Sequence, residues 1–257
     1  MTEVKDKMWI WGHEAGSHNN QSNIQGLSWM TPVEGASYLG VPNVVMVRYG
    51  NRPAPPYDKD VKALSPLKRV VWSIVGAGGS HDKDDEISLI CSLANRYPNI
   101  CGVIMDDFFG GGEKEAALTP QDLAETQENL TVGNRKLDLW VVLYDNQLRL
   151  PSDAYLKECD IITFWTWKAS NLNNLEQNFT EAEKIARRCN CRLVLGCYMY
   201  NYGEGTEMPV SMMEKQCQSG LKWLKEGRIE GMIFLASCIC DLGLATVEWT
   251  RNWIKNL

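Results

Sequence analysis

Several features that define large protein classes are missing from this chain. None of its 257 residues belongs to an apolar run of about 18, so no segment reads as a membrane-spanning helix. Positive charge is the minority sign: 26 Lys and Arg stand against 32 Asp and Glu, a formal net charge of −6. A chain with that balance has no broad positive field for a phosphate backbone. Nucleic acid and membrane are therefore not expected partners. The nucleotide signatures G-x-G-x-x-G and G-x-x-x-x-G-K-[ST] are also absent. Cysteine is plentiful at nine, but the close pairs Cys189/Cys191 and Cys238/Cys240 are C-x-C, not the C-x₂-C that zinc sites favour. No metal or other cofactor is expected, and most of the cysteines read as small buried hydrophobes of a reducing compartment. The first seven residues lack a signal peptide's apolar core and cleavage site. The chain as it stands reads as cytoplasmic, although one stripped of a secretory leader would read the same way. No internal repeat and no linker composition divides it.

What is present is an ordinary globular balance, 44% hydrophobic and 23% charged, with ten Trp and nine Tyr. Eight short apolar runs recur, at residues 8–11, 44–47, 70–75, 101–105, 139–143, 161–164, 193–197 and 232–235. Runs that are apolar on both faces fit parallel strands covered on both sides. Helical spacing appears between them at 86–94, 175–188, 211–226 and 247–254, with a short first helix at 32–39. Thr119 followed by Pro120 and Asp122 is a helix start, with proline at the first helical position and an acid in the first turn. The proline-rich segment 51–57 is a stiff loop that cannot be a central strand. Eight strands with interleaved helices predict an α/β fold, a (β/α)₈ TIM barrel, with residues 1–257 forming a single domain.

A barrel of this kind builds its site from the loops that follow its strands, which points to particular side chains. His13 and Glu14 follow the first strand, Arg48 ends the second, and a glycine-rich segment reaching His81 follows the third. Asp106 and Asp107 follow the fourth, and Asp145 follows the fifth. Trp165 and Trp167 end the sixth, while Tyr198, Tyr200, Tyr202 and Glu204 follow the seventh. The adjacent acids are the strongest signal. Side chains alternate along a strand, and Asp106 shares the parity of Gly102 and Ile104, the row better suited to a narrow interior, so Asp106 is expected to face inward.

Glycosidic cleavage calls for two carboxyl groups, and Asp106 or Asp107 supplies one. Glu14, Asp145, Glu204 and Glu207 are the candidates for the second. Trp165, Trp167, Tyr198, Tyr200 and Tyr202 would line the sugar with flat faces and polar edges. His13 would bond a substrate hydroxyl or move a proton, and Arg48 would hold a carboxylate of substrate or protein. His18 and His81 read as ordinary loop residues, and the polar loop 17–28 is placed to cover the pocket.

The strand-four ending Gly102-Val103-Ile104-Met105-Asp106-Asp107-Phe108-Phe109 resembles the glycoside-hydrolase-like group of TIM barrels. The resemblance implies an acid after strand four and aromatics after the later strands. It extends over the chain as architecture. The D-x-x-D-x-D-x-E pattern of the chitinase-like barrels and the Asn-Glu of the large retaining clan do not occur at this position. The expected function is thus hydrolysis of a glycosidic bond, with a carbohydrate or sugar-acid small molecule as partner. Two other readings remain open at this point: a metal-assisted lyase or isomerase with an ion on Glu14, Asp106 and Asp145, and a non-catalytic carbohydrate-binding barrel.

Overall fold

The computed structural model describes residues 4–79, 86–110 and 116–257. Eight parallel strands close into a barrel: β1 (Met8–Gly12), β2 (Asn43–Met46), β3 (Arg69–Val75), β4 (Ile100–Met105), β5 (Asp138–Tyr144), β6 (Ile161–Trp165), β7 (Arg192–Tyr198) and β8 (Gly231–Leu235). Each pairs with its neighbours in chain order, and β8 closes on β1. The eight apolar runs thus correspond to the eight strands, and the (β/α)₈ barrel is the observed fold. Two small antiparallel hairpins decorate it, Thr131–Val132 with Arg135–Lys136 and Tyr200–Asn201 with Thr206–Glu207.

The helices around it are α1 (Pro32–Leu39), α2 (Asp58–Ala63), α3 (Glu86–Arg96), α4 (Pro120–Asn129), α5 (Asp153–Leu156), α6 (Leu175–Cys189), α7 (Val210–Lys225) and α8 (Ala245–Lys255). Capping explains several of their ends. Thr31 and Glu34 form a reciprocal capping box at the start of α1, and Thr119 with Asp122 does the same for α4. Gly40 ends α1 at φ 74°, in the left-handed region that glycine reaches without a Cβ penalty. Helices α2 and α5 were not evident in the sequence because, at 6 and 4 residues, they are too short to show a period. None of the described helices is long and apolar enough to cross a membrane.

Tryptophan fills the barrel, and glycine makes room for it. Trp9 and Trp140, on strands opposite one another in the ring, meet edge to face at 5.2 Å near the N-terminal end. Gly231 and Gly102 lie under these indoles, where a Cβ would come within 3.1 Å and 3.0 Å of the respective Nε1 atoms. One layer higher, Trp11 meets Trp165 at 5.1 Å. A Cβ on Gly196 would sit 2.0 Å from Trp165 Cδ2, closer than any relaxation of a rigid ring absorbs. Gly196→Ala is therefore expected to cost roughly 1–3 kcal/mol of stability by overpacking, read as a lower urea midpoint. An unchanged midpoint would show that Trp165 has another place to go.

Candidate active site

The inward row of β4 continues past the strand. Gly102 packs against the interior indole of Trp140, and Asp106, two pairs of residues further on, is 5% exposed at the C-terminal mouth. Strict alternation would turn Asp107 away. Instead Asp107 takes φ 46°, a left-handed conformation that breaks the alternation, and both carboxyl groups line one cavity. Three hydrogen bonds fix the pair. The Asp107 backbone N–H donates to Asp106 Oδ1 at 2.9 Å, Gly78 N–H donates to Asp107 Oδ2 at 2.8 Å, and the Tyr144 hydroxyl donates to Asp107 Oδ1 at 2.8 Å.

The two acids therefore live in different surroundings. Burial, then the adjacent Asp107 charge, pushes the Asp106 carboxyl well above the usual carboxylate range, with the Asp107 N–H opposing weakly. Asp107 instead accepts two donors. Burial also raises the Tyr144 and Tyr198 hydroxyls well above the usual tyrosine range, so both stay neutral and able to donate.

Aromatic side chains wall a cavity of about 210 Å³ around the pair. Trp11 Nε1 donates to His13 Nε2 at 3.0 Å, and His13 Nδ1 lies 2.8 Å from the Val47 carbonyl. Those partners assign the proton to Nδ1 and occupy both ring nitrogens. Burial lowers the His13 pKa to about 4. His13 does line the cavity, but it holds Trp11 in place and has no free nitrogen for a substrate or a proton, which corrects the role expected for it. Trp165 Nε1 is likewise satisfied internally, by Thr163 Oγ1 at 2.9 Å. Trp11 and Trp165 thus show the cavity carbon surface, while Trp167, 37% exposed, and Tyr198 complete the wall.

His18 is not an ordinary loop residue: it is buried against the cavity, with Nδ1 2.9 Å from the Tyr202 hydroxyl. It belongs to the polar loop after β1, which contributes Gln21 and Ser22 to the lining as well. Tyr200 donates to the Ser22 carbonyl at 2.9 Å, Asn23 Nδ2 donates to the Gly205 carbonyl at 3.2 Å, and Tyr49 donates to Gln21. Tyr200 and Tyr202 therefore tie the loop to the β7 side of the mouth.

Other expected residues lie elsewhere. Arg48 follows β2 but turns to a buried group outside the cavity, 3.1 Å from Glu86 and 3.2 Å from the Tyr57 hydroxyl. It neither neutralises the aspartates nor offers a fork to a sugar acid. Glu14 pairs with Arg52 at 3.3 Å. Asp145 accepts from the Trp167 backbone at 3.0 Å and from Asn171 at 2.7 Å, a loop-bonding role. Glu204 accepts from Asn201 and Ser170, each at 2.8 Å, and these bonds hold its carboxyl below the usual range, the wrong direction for a proton donor. Glu207 is exposed in the small hairpin. Glu14, Asp106 and Asp145 do not converge as an ion site, and no three such ligating side chains gather among the described residues. His81 lies outside the described residues.

A second space of about 320 Å³ adjoins the first, lined in part by Gly78, Asn146 and Gln147. Asp107, Tyr144 and Trp167 belong to both spaces, whereas Asp106 belongs only to the inner one. Trp11, Tyr49 and Tyr144 were not singled out in the sequence. Extending the inward row of β1 from Trp9 through Trp11 to His13 would have found the first, and the row Trp140, Val142, Tyr144 the last.

Against known proteins, no family model and no curated sequence matches the chain. Solved structures do. A candidate α-L-fucosidase from Bacteroides thetaiotaomicron superposes with a TM-score of 0.59 at 10% identity, covering 99% of this chain and 96% of that one. A xylanase-A-amylase inhibitor protein gives 0.57 at 13%, covering 96% and 97%. A glycoside hydrolase family 17 β-1,3-glucanosyltransferase from Rhizomucor miehei gives 0.52 at 10%, covering 89% and 86%. The likeness is one of fold. It joins enzymes and an inhibitor on the same barrel, so function rests on the site.

Proposed function

We propose that the protein is a glycoside hydrolase that holds one sugar ring in the inner cavity and cleaves the bond to a group in the adjoining space. The observation that carries this reading is the Asp106–Asp107 pair: two carboxyl groups in unlike environments, facing one aromatic-walled cavity. Groups whose surroundings drive their protonation apart are the usual source of acid and base roles. A 210 Å³ space is below the roughly 300–1,000 Å³ of common ligand clefts, which suits a single ring at a chain end. Asp107 stands where the two spaces meet and is assigned the protonation of the departing oxygen.

The test is a screen of chromogenic glycosides in the presence of a chelator. Turnover is expected without added metal. A strict requirement for a divalent ion would move the reading to metal-assisted chemistry, and sugar binding without turnover would make the barrel a binding protein. Tyr144→Phe removes one hydrogen bond to Asp107, a group that gains charge as it gives up its proton, and such a bond is worth about 1.5–3 kcal/mol. A loss of roughly 10- to 100-fold in kcat/KM is expected from it, and an unchanged value would take Tyr144 out of the site.

A further inference from the structure

Resting on the glycosidase reading, we infer that the substrate is a 2-acetamido-2-deoxyhexoside whose own amide oxygen is the nucleophile. Enzymes that supply both catalytic groups place them across the scissile bond, about 5–5.5 Å apart when one attacks and about 6.5–9.5 Å apart when one activates water. Asp106 and Asp107 are consecutive, with Cα atoms about 3.8 Å apart, and the backbone N–H of one bonds the carboxyl of the other. They form one wall of the cavity. Glu14, Asp145 and Glu204 are engaged outside it, and among the described residues no other carboxylate lines it. A one-walled acid pair fits chemistry in which the attacking atom comes from the sugar itself.

Two further features fit the acetamido group. The sole bond Asp106 makes among the described residues, beyond its backbone, is that to the Asp107 N–H, so its second oxygen has room for a donor from the ligand. An amide N–H is such a donor. Trp11 and Trp165, their indole N–H groups used internally, offer carbon faces lining the same cavity, where a methyl group is buried without stranding a polar atom.

The amide N–H donates to Asp106, which stabilises the Asp106 anion and shifts the proton of the pair to Asp107. The amide oxygen forms a bond to C1 as the bond from C1 to the glycosidic oxygen breaks. The departing oxygen keeps that electron pair and takes the Asp107 proton, while Asp106 takes up the amide proton, leaving a neutral oxazoline. Water then adds to C1 and gives a proton to Asp107, and Asp106 returns its proton to the nitrogen as the ring opens. The products are the sugar hemiacetal, with its configuration retained, and the free alcohol. Attack from the face opposite the leaving group requires a 1,2-trans glycoside.

The experiment compares 4-nitrophenyl 1,2-trans glycosides of the gluco and galacto series, 2-acetamido against 2-hydroxy, using the full chain. An advantage of about 100-fold or more in kcat/KM for the acetamido member of one series is expected from an intramolecular nucleophile. Stepwise fluorination of the acetyl methyl should then lower kcat progressively, because it withdraws electrons from the attacking oxygen. A flat fluorine series overturns the inference, since an amide that merely binds has no such slope. Equal turnover of the 2-hydroxy glycosides assigns the nucleophile to the enzyme and overturns it too, with the glycosidase reading intact. Silence towards every glycoside of the wider screen removes both.

Discussion

Asp107→Asn is expected to lower kcat by about 10²–10⁴-fold on an alkyl glycoside, the usual contribution of a positioned acid, and by much less on a 2,4-dinitrophenyl glycoside. The second substrate releases a stable anion and needs no proton, so removing the acid matters little to it. Asp106→Asn should depress both substrates alike, because Asp106 acts on the sugar in the inner cavity and not on the departing group. Asparagine keeps the shape of each side chain and one acceptor oxygen, which at position 106 meets the Asp107 N–H and at position 107 meets the Gly78 N–H, leaving the amide NH₂ to donate to the Tyr144 hydroxyl once that hydroxyl turns. Unchanged unfolding midpoints would therefore separate chemistry from collapse. If the dinitrophenyl substrate rescued Asp106→Asn and not Asp107→Asn, the two roles would have to be exchanged. Full activity in both variants would end the glycosidase reading.

The barrel was legible because its strands are buried on both faces, which writes each one as an unbroken apolar run. The position of the acid pair followed from the same runs. What the sequence did not reveal is which polar groups at the mouth turn inward. Asp107 escapes the strand's alternation through a single positive φ, and nothing in the order of residues announces it. Arg48 follows a strand just as Asp106 does, yet it is captured by Glu86 and Tyr57, residues 38 and 9 positions downstream. Asp145 and Glu204 have the right placement but spend their lone pairs on Asn171, Asn201 and Ser170. Loop partners of this kind depend on packing between segments distant in the chain. The tryptophan layers, by contrast, left a readable trace: Gly102, Gly196 and Gly231 are interior strand positions where glycine would otherwise weaken the sheet, and each lies against an indole.

Acidification from pH 6.5 to about 4 is expected to remove about 3 kcal/mol of stability through His13 alone, at 1.36 kcal/mol for each unit of displacement. Its folded pKa lies below the unfolded one, so in this window the unfolded chain binds a proton that the folded chain does not, and stability falls as pH falls. His18, also lowered by burial, adds a contribution of the same sign. Asp106 acts in the opposite sense: its raised folded pKa is a burden that grows as pH rises above the unfolded value of 3.8, so acid relieves it. Urea unfolding of the parent and His13→Gln across this range isolates the histidine, because Asp106 is common to both. The variant should be less stable near neutrality yet have the flatter profile, and parallel profiles would show that His13 titrates normally. The slope also reports on the site. A proton on Nε2 would face the Trp11 N–H that this nitrogen now accepts, so the charge that destabilises the barrel is the one that would dislodge an indole from the cavity wall.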